Sequence, residues 1–83
     1  MLDTRDKTIF RYYLEYGGER FKFRTKKLCV AHGKAMHAAG YDIKMFEEYD
    51  LWMYNPDTAR NVHVDHQVFD RTNAWLQLDV DDL

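Results

Sequence analysis

Three residues with metal-ligating side chains, His63, Asp65 and His66, stand close together in the C-terminal half of the chain. Imidazole and carboxylate groups are ordinary ligands of divalent metals. In a regular strand His63 and Asp65 share one face and His66 points away, because successive side chains alternate. A bulge or turn would be needed to place His66 on the same face as His63 and Asp65. The alternative to a metal site is that the two histidines are simply exposed beside a turn. We expect no metal, no other cofactor and no catalysis.

The stretch Val64-Asp65-His66, followed by Arg71-Thr72-Asn73, resembles part of the HNH nuclease motif. In that family a histidine activates water and a later asparagine organises the loop beside the metal. The resemblance implies a metal-dependent nuclease or a remnant of one. The family also needs a helix with a further His or Asn ligand, and this chain has none after Asn73.

A basic surface is predicted on the outer face of an N-terminal hairpin and at the start of the helix that follows. Arg and Lys with an interleaved aromatic suit a phosphate backbone, and a two-stranded ribbon fits the major groove of DNA. An ordinary solvated sheet face is the alternative. This basic hairpin face comprises Arg11, Tyr13, Arg20, Lys22, Arg24, Lys26 and Lys27.

The hairpin and helix, with Phe23-x-Thr25-Lys26-Lys27 at their junction, resemble the arm-type DNA-binding domains of tyrosine integrases over residues 8–39. Those domains place three strands before the helix, whereas this chain offers two. The resemblance implies a nucleic-acid-binding domain that uses the basic hairpin face.

An acidic and aromatic surface is predicted in the second half, where a carboxylate-rich turn precedes an apolar strand. Trp and Tyr are enriched in the hot spots of protein interfaces, and an acidic surface can compete for a partner's nucleic-acid groove. The alternative is that the aromatic residues cover a layer made by the C-terminal tail. This acidic–aromatic surface comprises Glu47, Glu48, Tyr49, Asp50, Trp52 and Tyr54.

Charge is divided unevenly along the chain. Residues 1–37 carry nine Lys/Arg and four Asp/Glu, whereas residues 38–83 carry three and ten. Such halves either give a polarised surface or attract each other within the fold.

The composition excludes several classes of protein. Cys29 is the only cysteine, so neither an internal disulfide nor a cysteine-based zinc site can form. No apolar run reaches the roughly 18 residues of a membrane helix, and the charged residues 1–7 lead into no signal sequence. We expect a cytoplasmic protein without a membrane partner and with Cys29 as a buried structural thiol.

The elements that position these residues begin with the hairpin, strands 8–16 and 19–25. Gly17-Gly18 predicts a two-residue type I′ turn, which needs positive φ at both positions. A turn of this length fixes the register. The predicted pairs are Leu14–Phe21, Tyr12–Phe23 and Phe10–Thr25 on the core face, and Arg11–Arg24 on the outer face, where like charges destabilise.

A helix is predicted over 26–39, with Thr25 as N-cap and Gly40 ending it. Gly33 inside the helix indicates a close helix–sheet contact. Further strands are expected within 41–69, at 41–45, 51–54 and 62–65, with a turn at 47–50. Residues 70–83 form a tail that is either a helix or an edge strand. The result is one small α+β domain over 1–83, a ββαββ(β) antiparallel sheet packed on one helix.

These observations favour a non-enzymatic binding module. We expect a small accessory protein of the phage or mobile-element type that binds a protein partner and modulates or inhibits it. The alternatives are a nucleic-acid-binding domain that uses the basic hairpin face, and an HNH-like nuclease or its remnant. A homodimer is compatible with each of these functions.

Overall fold

The computed structural model describes residues 6–83, so most of the charged N-terminal segment lies outside the described residues. It confirms the predicted small α+β fold, with an antiparallel sheet and one main helix. The strands are β1 (Lys7–Tyr16), β2 (Glu19–Phe23), β3 (Lys44–Asn55) and β4 (Arg60–Asp70), and the helices are α1 (Lys26–Ala38) and α2 (Thr72–Leu76). The strand order is β2-β1-β3-β4, with every neighbouring pair antiparallel.

The register of the β1–β2 hairpin is the predicted one. Gly17 and Gly18 have φ of 60° and 77°, which a type I′ turn requires. The observed pairs include Leu14–Phe21 and Tyr12–Phe23 on the helix side, and Glu15–Arg20 on the other side. The glycine pair is therefore enough to specify how these two strands align.

The hairpin ends earlier than predicted, because β2 stops at Phe23. The Thr25 hydroxyl accepts a hydrogen bond from the Leu28 amide at 3.2 Å and caps α1 as predicted, so the chain enters the helix only two residues after β2 ends. The predicted pairs Phe10–Thr25 and Arg11–Arg24 are wrong. Beyond the end of β2, Arg11 pairs with β3 alone and lies opposite Glu48.

Helix α1 packs closely on the sheet at Gly33, as predicted. A Cβ atom at Gly33 would lie 2.6 Å from the Met45 sulfur and 3.4 Å from the Leu14 Cδ1. The core around this contact consists of Leu14, Cys29, Val30, Ile43, Met45 and Trp75. Trp75 comes from α2, so the tail forms a short helix and then a 3-10 turn, Val80–Asp82, rather than an edge strand.

Strand β3 corrects the prediction of two short strands separated by a turn at 47–50, because it runs unbroken from Lys44 to Asn55. The acidic residues in its middle are accommodated by basic partners that are distant in sequence. Arg11 lies opposite Glu48, and the Arg71 guanidinium is 3.3 Å from a Glu47 carboxylate oxygen. Strand β4, at 60–70, is likewise longer than the predicted 62–65.

The helical layer covers only one end of the sheet, and the residues described span 53 × 29 × 17 Å. Phe10, predicted to be in the core with Tyr12 and Leu14, is 51% exposed, because it lies beyond the reach of α1. Phe21 is only half-buried and stacks on Tyr16. Within residues 6–83 no helix is both long and apolar enough to cross a membrane.

Candidate functional site

The sheet has two faces of different character. One face is turned toward α1 and carries Tyr12, Leu14 and Met45, and we call the opposite one the open face. Strand alternation and the observed register assign residues to it. The open face carries Arg11, Tyr13 and Glu15 of β1, Arg20 and Lys22 of β2, Phe46, Glu48, Asp50, Trp52 and Tyr54 of β3, and His63 and His66 of β4.

A bulge in β4 decides which of the predicted metal ligands share a face. Leu51 pairs with Asp65 and Trp52 with His63, so Val64 is an extra residue in β4. This extra residue shifts the alternation, and both histidines point to the open face.

Asp65 points to the opposite face, where it accepts a hydrogen bond from the Tyr49 hydroxyl at 3.2 Å. The predicted sharing of one face by His63 and Asp65 is wrong. Asp65 therefore cannot join the two histidines in one metal site.

Two carboxylates of β3 take the place of Asp65 beside the histidines. His66 Nε2 is 3.0 Å from Glu48 Oε2, and His63 Nε2 is 2.7 Å from Asp50 Oδ1. Arg11 lies between the carboxylates, donating to Asp50 and lying 3.4 Å from Glu48. We call these five residues the carboxylate–histidine cluster. Each histidine is 13 or 18 residues away in sequence from the carboxylate that it contacts. The spacing of residues along the chain therefore did not reveal the cluster.

The electrostatics of the cluster follow from these contacts. The hydrogen bond with His66 holds the pKa of Glu48 below its ordinary value, and the same contact raises the pKa of His66. Burial opposes ionisation of Asp50, but hydrogen bonds from Arg11 and His63 outweigh it and lower its pKa. The bond to Asp50 raises the pKa of Arg11. Both carboxylates are therefore ionised at neutral pH, and Arg11 offsets part of their negative charge.

The basic hairpin face is partly neutralised by acidic residues of the same face. Arg11 is bound to the two β3 carboxylates, and Arg20 forms an ion pair with Glu15 at 3.2 Å. The Tyr13 hydroxyl donates to Glu48 at 3.3 Å, and Lys26 lies over the Trp75 ring. Among residues 6–83, the predicted basic residues without an ion pair are Lys22, Arg24, Lys26 and Lys27. The two charged halves thus attract each other at Arg11.

The acidic–aromatic surface is divided between the two faces of β3. Glu48, Asp50, Trp52 and Tyr54 lie on the open face, whereas Glu47 and Tyr49 lie on the helix side. Tyr49 is part of an aromatic row, 6.1 Å from Phe10 and 6.0 Å from Phe69 between ring centroids. The predicted surface is therefore not a single patch.

A set of apolar side chains that the sequence did not identify as a site lies on the helix-side face beyond the end of α1. We call it the distal apolar patch, and it comprises Phe10, Leu51, Met53 and Val62. Phe10 and Val62 are 51% and 47% exposed. Alternation placed Phe10 on this face correctly, but it carries no information on how far α1 would extend.

No family model, curated protein or solved structure matches this chain.

Proposed function

We propose that this chain is a non-enzymatic binding module whose partner is a protein, docked on the distal apolar patch and the adjoining edge of β4. The exposed Phe10 and Val62, on a sheet face that α1 leaves uncovered, carry the proposal. Exposed apolar groups clustered on one surface are typical of protein interaction sites. The occupant we infer is an extended protein segment with apolar side chains.

The position of β4 supports an extended partner. β4 lies at one edge of the described sheet and is 11 residues long, so backbone N–H and C=O groups on its outer side face away from β3. A segment that adds a strand there would gain main-chain hydrogen bonds from β4. Its side chains would contact Val62, and the neighbouring Val64, which is 51% exposed, would widen the interface.

A protein partner fits the charges better than nucleic acid does. Arg11 and Arg20 of the basic hairpin face are engaged with carboxylates of this chain, and a phosphate backbone would have to compete with them. We infer an accessory protein of the phage or mobile-element type that acts in the cytoplasm by occupying part of a larger partner. The single cysteine fits a reducing compartment.

The test is capture from a cell lysate by the immobilised protein, with and without nuclease treatment. Wild type should capture a protein whether or not the lysate is treated with nuclease. Val62→Lys, which places a charge in the patch, should lose that captured protein. Leu28→Ser is the matched control, because Leu28 is an apolar residue of similar exposure, 53%, that lies on α1 and is not a member of the patch. It should retain capture. Equal capture by wild type and Val62→Lys contradicts the proposal.

Nucleic acid is the second candidate, favoured by Lys22, Arg24 and Lys27 near the β2–α1 junction, which neither an ion pair nor an aromatic ring engages among residues 6–83. Capture that disappears on nuclease treatment would support it. Three phosphate contacts predict a slope of about −3 in a plot of log affinity against log salt concentration. Replacing all three residues with Ser should then abolish a gel shift that Val62→Lys leaves intact.

A further inference from the structure

We propose that the open face binds a first-row transition-metal dication such as Zn²⁺, held by Glu48, Asp50 and His66 with His63 as a fourth ligand, and that Arg11 competes with the metal. This site is separate from the distal apolar patch, which lies on the opposite face of the sheet. Its existence does not depend on the proposed function.

The ligand atoms are already gathered. One ligand atom each from Glu48, Asp50 and His66 lies within 4.8 Å of the other two. In a tetrahedral site with metal–ligand distances of about 2.1 Å, the ligand atoms lie about 3.4 Å from one another, so side-chain rotations that draw these atoms together complete the contact. His63 Nε2, 2.7 Å from Asp50 Oδ1, brings a second imidazole to the same carboxylate.

The backbone supports this arrangement from two adjacent strands. Asp50 and His66 are direct cross-strand partners, and Glu48 is two residues from Asp50 on the same face. The bulge at Val64 is what allows His63 to join them. A bulge that re-aims a side chain is a recurrent feature next to functional sites. The metal would therefore link β3 to β4 through ligands on both strands.

The ligand types select the metal. Imidazole nitrogen suits Zn²⁺, Co²⁺, Ni²⁺ and Cu²⁺, whereas Mg²⁺ and Ca²⁺ prefer oxygen ligands alone. Two imidazoles and two carboxylates can fill a tetrahedral coordination sphere. We therefore expect Zn²⁺ and Co²⁺ to bind and Mg²⁺ and Ca²⁺ not to bind.

Arg11 is the cation that the two carboxylates hold when no metal is bound. Its guanidinium contacts both Asp50 and Glu48, the two groups whose negative charge would attract a dication. The Arg11 side chain is 29% exposed, so it can turn toward solvent while β1 stays paired with β3. Removing its charge should strengthen metal binding, which is the opposite of what loss of a ligand does.

The experiment is calorimetric titration of the full chain, without a histidine tag, with ZnCl₂ and separately with CoCl₂, MgCl₂ and CaCl₂. We expect one Zn²⁺ per chain and a Co²⁺ absorption spectrum of four-coordinate type. His66→Gln and Glu48→Gln should each weaken Zn²⁺ binding by at least 10–100-fold, roughly the loss that follows removal of a ligand's supporting partner. Arg11→Met should tighten it about tenfold or more, as expected from removal of a nearby like charge.

His37→Gln is the matched control, because His37 is an exposed histidine on α1 outside the cluster, and it should bind Zn²⁺ like wild type. Circular dichroism confirms that each variant is folded. Absence of Zn²⁺ binding in folded wild type overturns the proposal, as does binding that neither His66→Gln nor Glu48→Gln weakens. Weaker binding by folded Arg11→Met overturns the role given to Arg11.

Discussion

The Cys29 side chain is fully buried between α1 and the sheet, where its thiol lies 3.5 Å from the Tyr13 carbonyl oxygen. Burial raises the pKa of the thiol to about 11. Because the thiolate is the reactive form, this residue is a packing group in the folded protein. The expectation of a structural cysteine is consistent with that environment.

Reaction of Cys29 with a disulfide reagent at pH 8 should be at least about 100-fold slower in the native protein than in the urea-unfolded chain. An unfolded thiol with a pKa of about 8.5 is roughly one quarter ionised at that pH, whereas the native thiol is almost wholly protonated and shielded. Absorbance of the released thiolate measures both rates. Similar rates in the two states would mean that Cys29 is not buried.

Ala59 is in the left-handed region, with φ of 54°, in the turn between β3 and β4. That conformation costs a residue with a Cβ about 1–2 kcal/mol, and glycine avoids this cost while losing more entropy on folding. Ala59→Gly should therefore raise the free energy of unfolding by about 0.5–1 kcal/mol, measured by urea denaturation. Thr58→Gly, at a neighbour without positive φ, should lower it. A lower stability for Ala59→Gly would contradict the strain.

At the scale of single residues, the sequence predicted the candidate ligands only in part. His63 and His66 were identified by their proximity, but the bulge at Val64 exchanged Asp65 for Glu48 and Asp50. Alternation along one strand cannot predict a bulge, because the extra residue is accommodated by the partner strand. Likewise, the hairpin register alone predicts that Arg11 lies opposite Arg24. That register gives no information on β3, which pairs with β1 on its other side and places Glu48 opposite Arg11.

Among the elements, those with local signals were predicted well. Gly17-Gly18 determines the hairpin turn, and Thr25 and Gly40 bracket α1, so neighbours in sequence were sufficient. β3 was divided in two because Glu47 and Glu48 resemble a turn when read without their partners. Arg71 and Arg11, which accommodate them, are 24 and 37 residues away.

The contact between α1 and the sheet depends on the missing side chain of Gly33. In Gly33→Ala the new Cβ would meet the Met45 side chain, which is fully buried and has little room to move. Overpacking costs about 1–3 kcal/mol, and the better helix propensity of Ala returns about 1 kcal/mol. We expect a net loss of up to about 2 kcal/mol in the free energy of unfolding.

Urea denaturation measures this loss. His37→Ala, at an exposed position of the same helix, is the control and should change stability by less than about 0.5 kcal/mol. A Gly33→Ala variant that is more stable than wild type would show that Met45 can repack. The close helix–sheet contact would then not require glycine.

Across the whole molecule, packing is concentrated at one end. The buried residues lie where α1 and α2 cover the sheet, and the pairing of β1 with β3 ends at Trp52. Beyond that point, among the described residues, only β3 and β4 pair with each other, and a two-stranded ribbon is only marginally stable in water. The sequence predicted that the helix would pack on the sheet, but not that the strands would extend beyond the part of the sheet that the helix covers.

This uneven packing predicts two classes of amide hydrogen exchange. Amides of β1 and β3 around Leu14 and Met45 should exchange at rates near those of global unfolding, because they lie beneath the core. Amides around Met53 and Val62 should exchange much faster, through local opening of the ribbon. Exchange measured residue by residue by NMR provides the test, and uniform protection along β3 would contradict the prediction.

The same measurement connects packing to the proposed binding surface. A protein segment added along β4 would pair with its edge and cover the distal apolar patch, so protection should rise more at Val62 than at Leu14. Zn²⁺ on the open face would instead link β3 and β4 near Asp50 and His66. It should slow exchange there in wild type but not in Glu48→Gln. A partner that slowed exchange equally at Leu14 and Val62 would be stabilising the whole fold without occupying the patch.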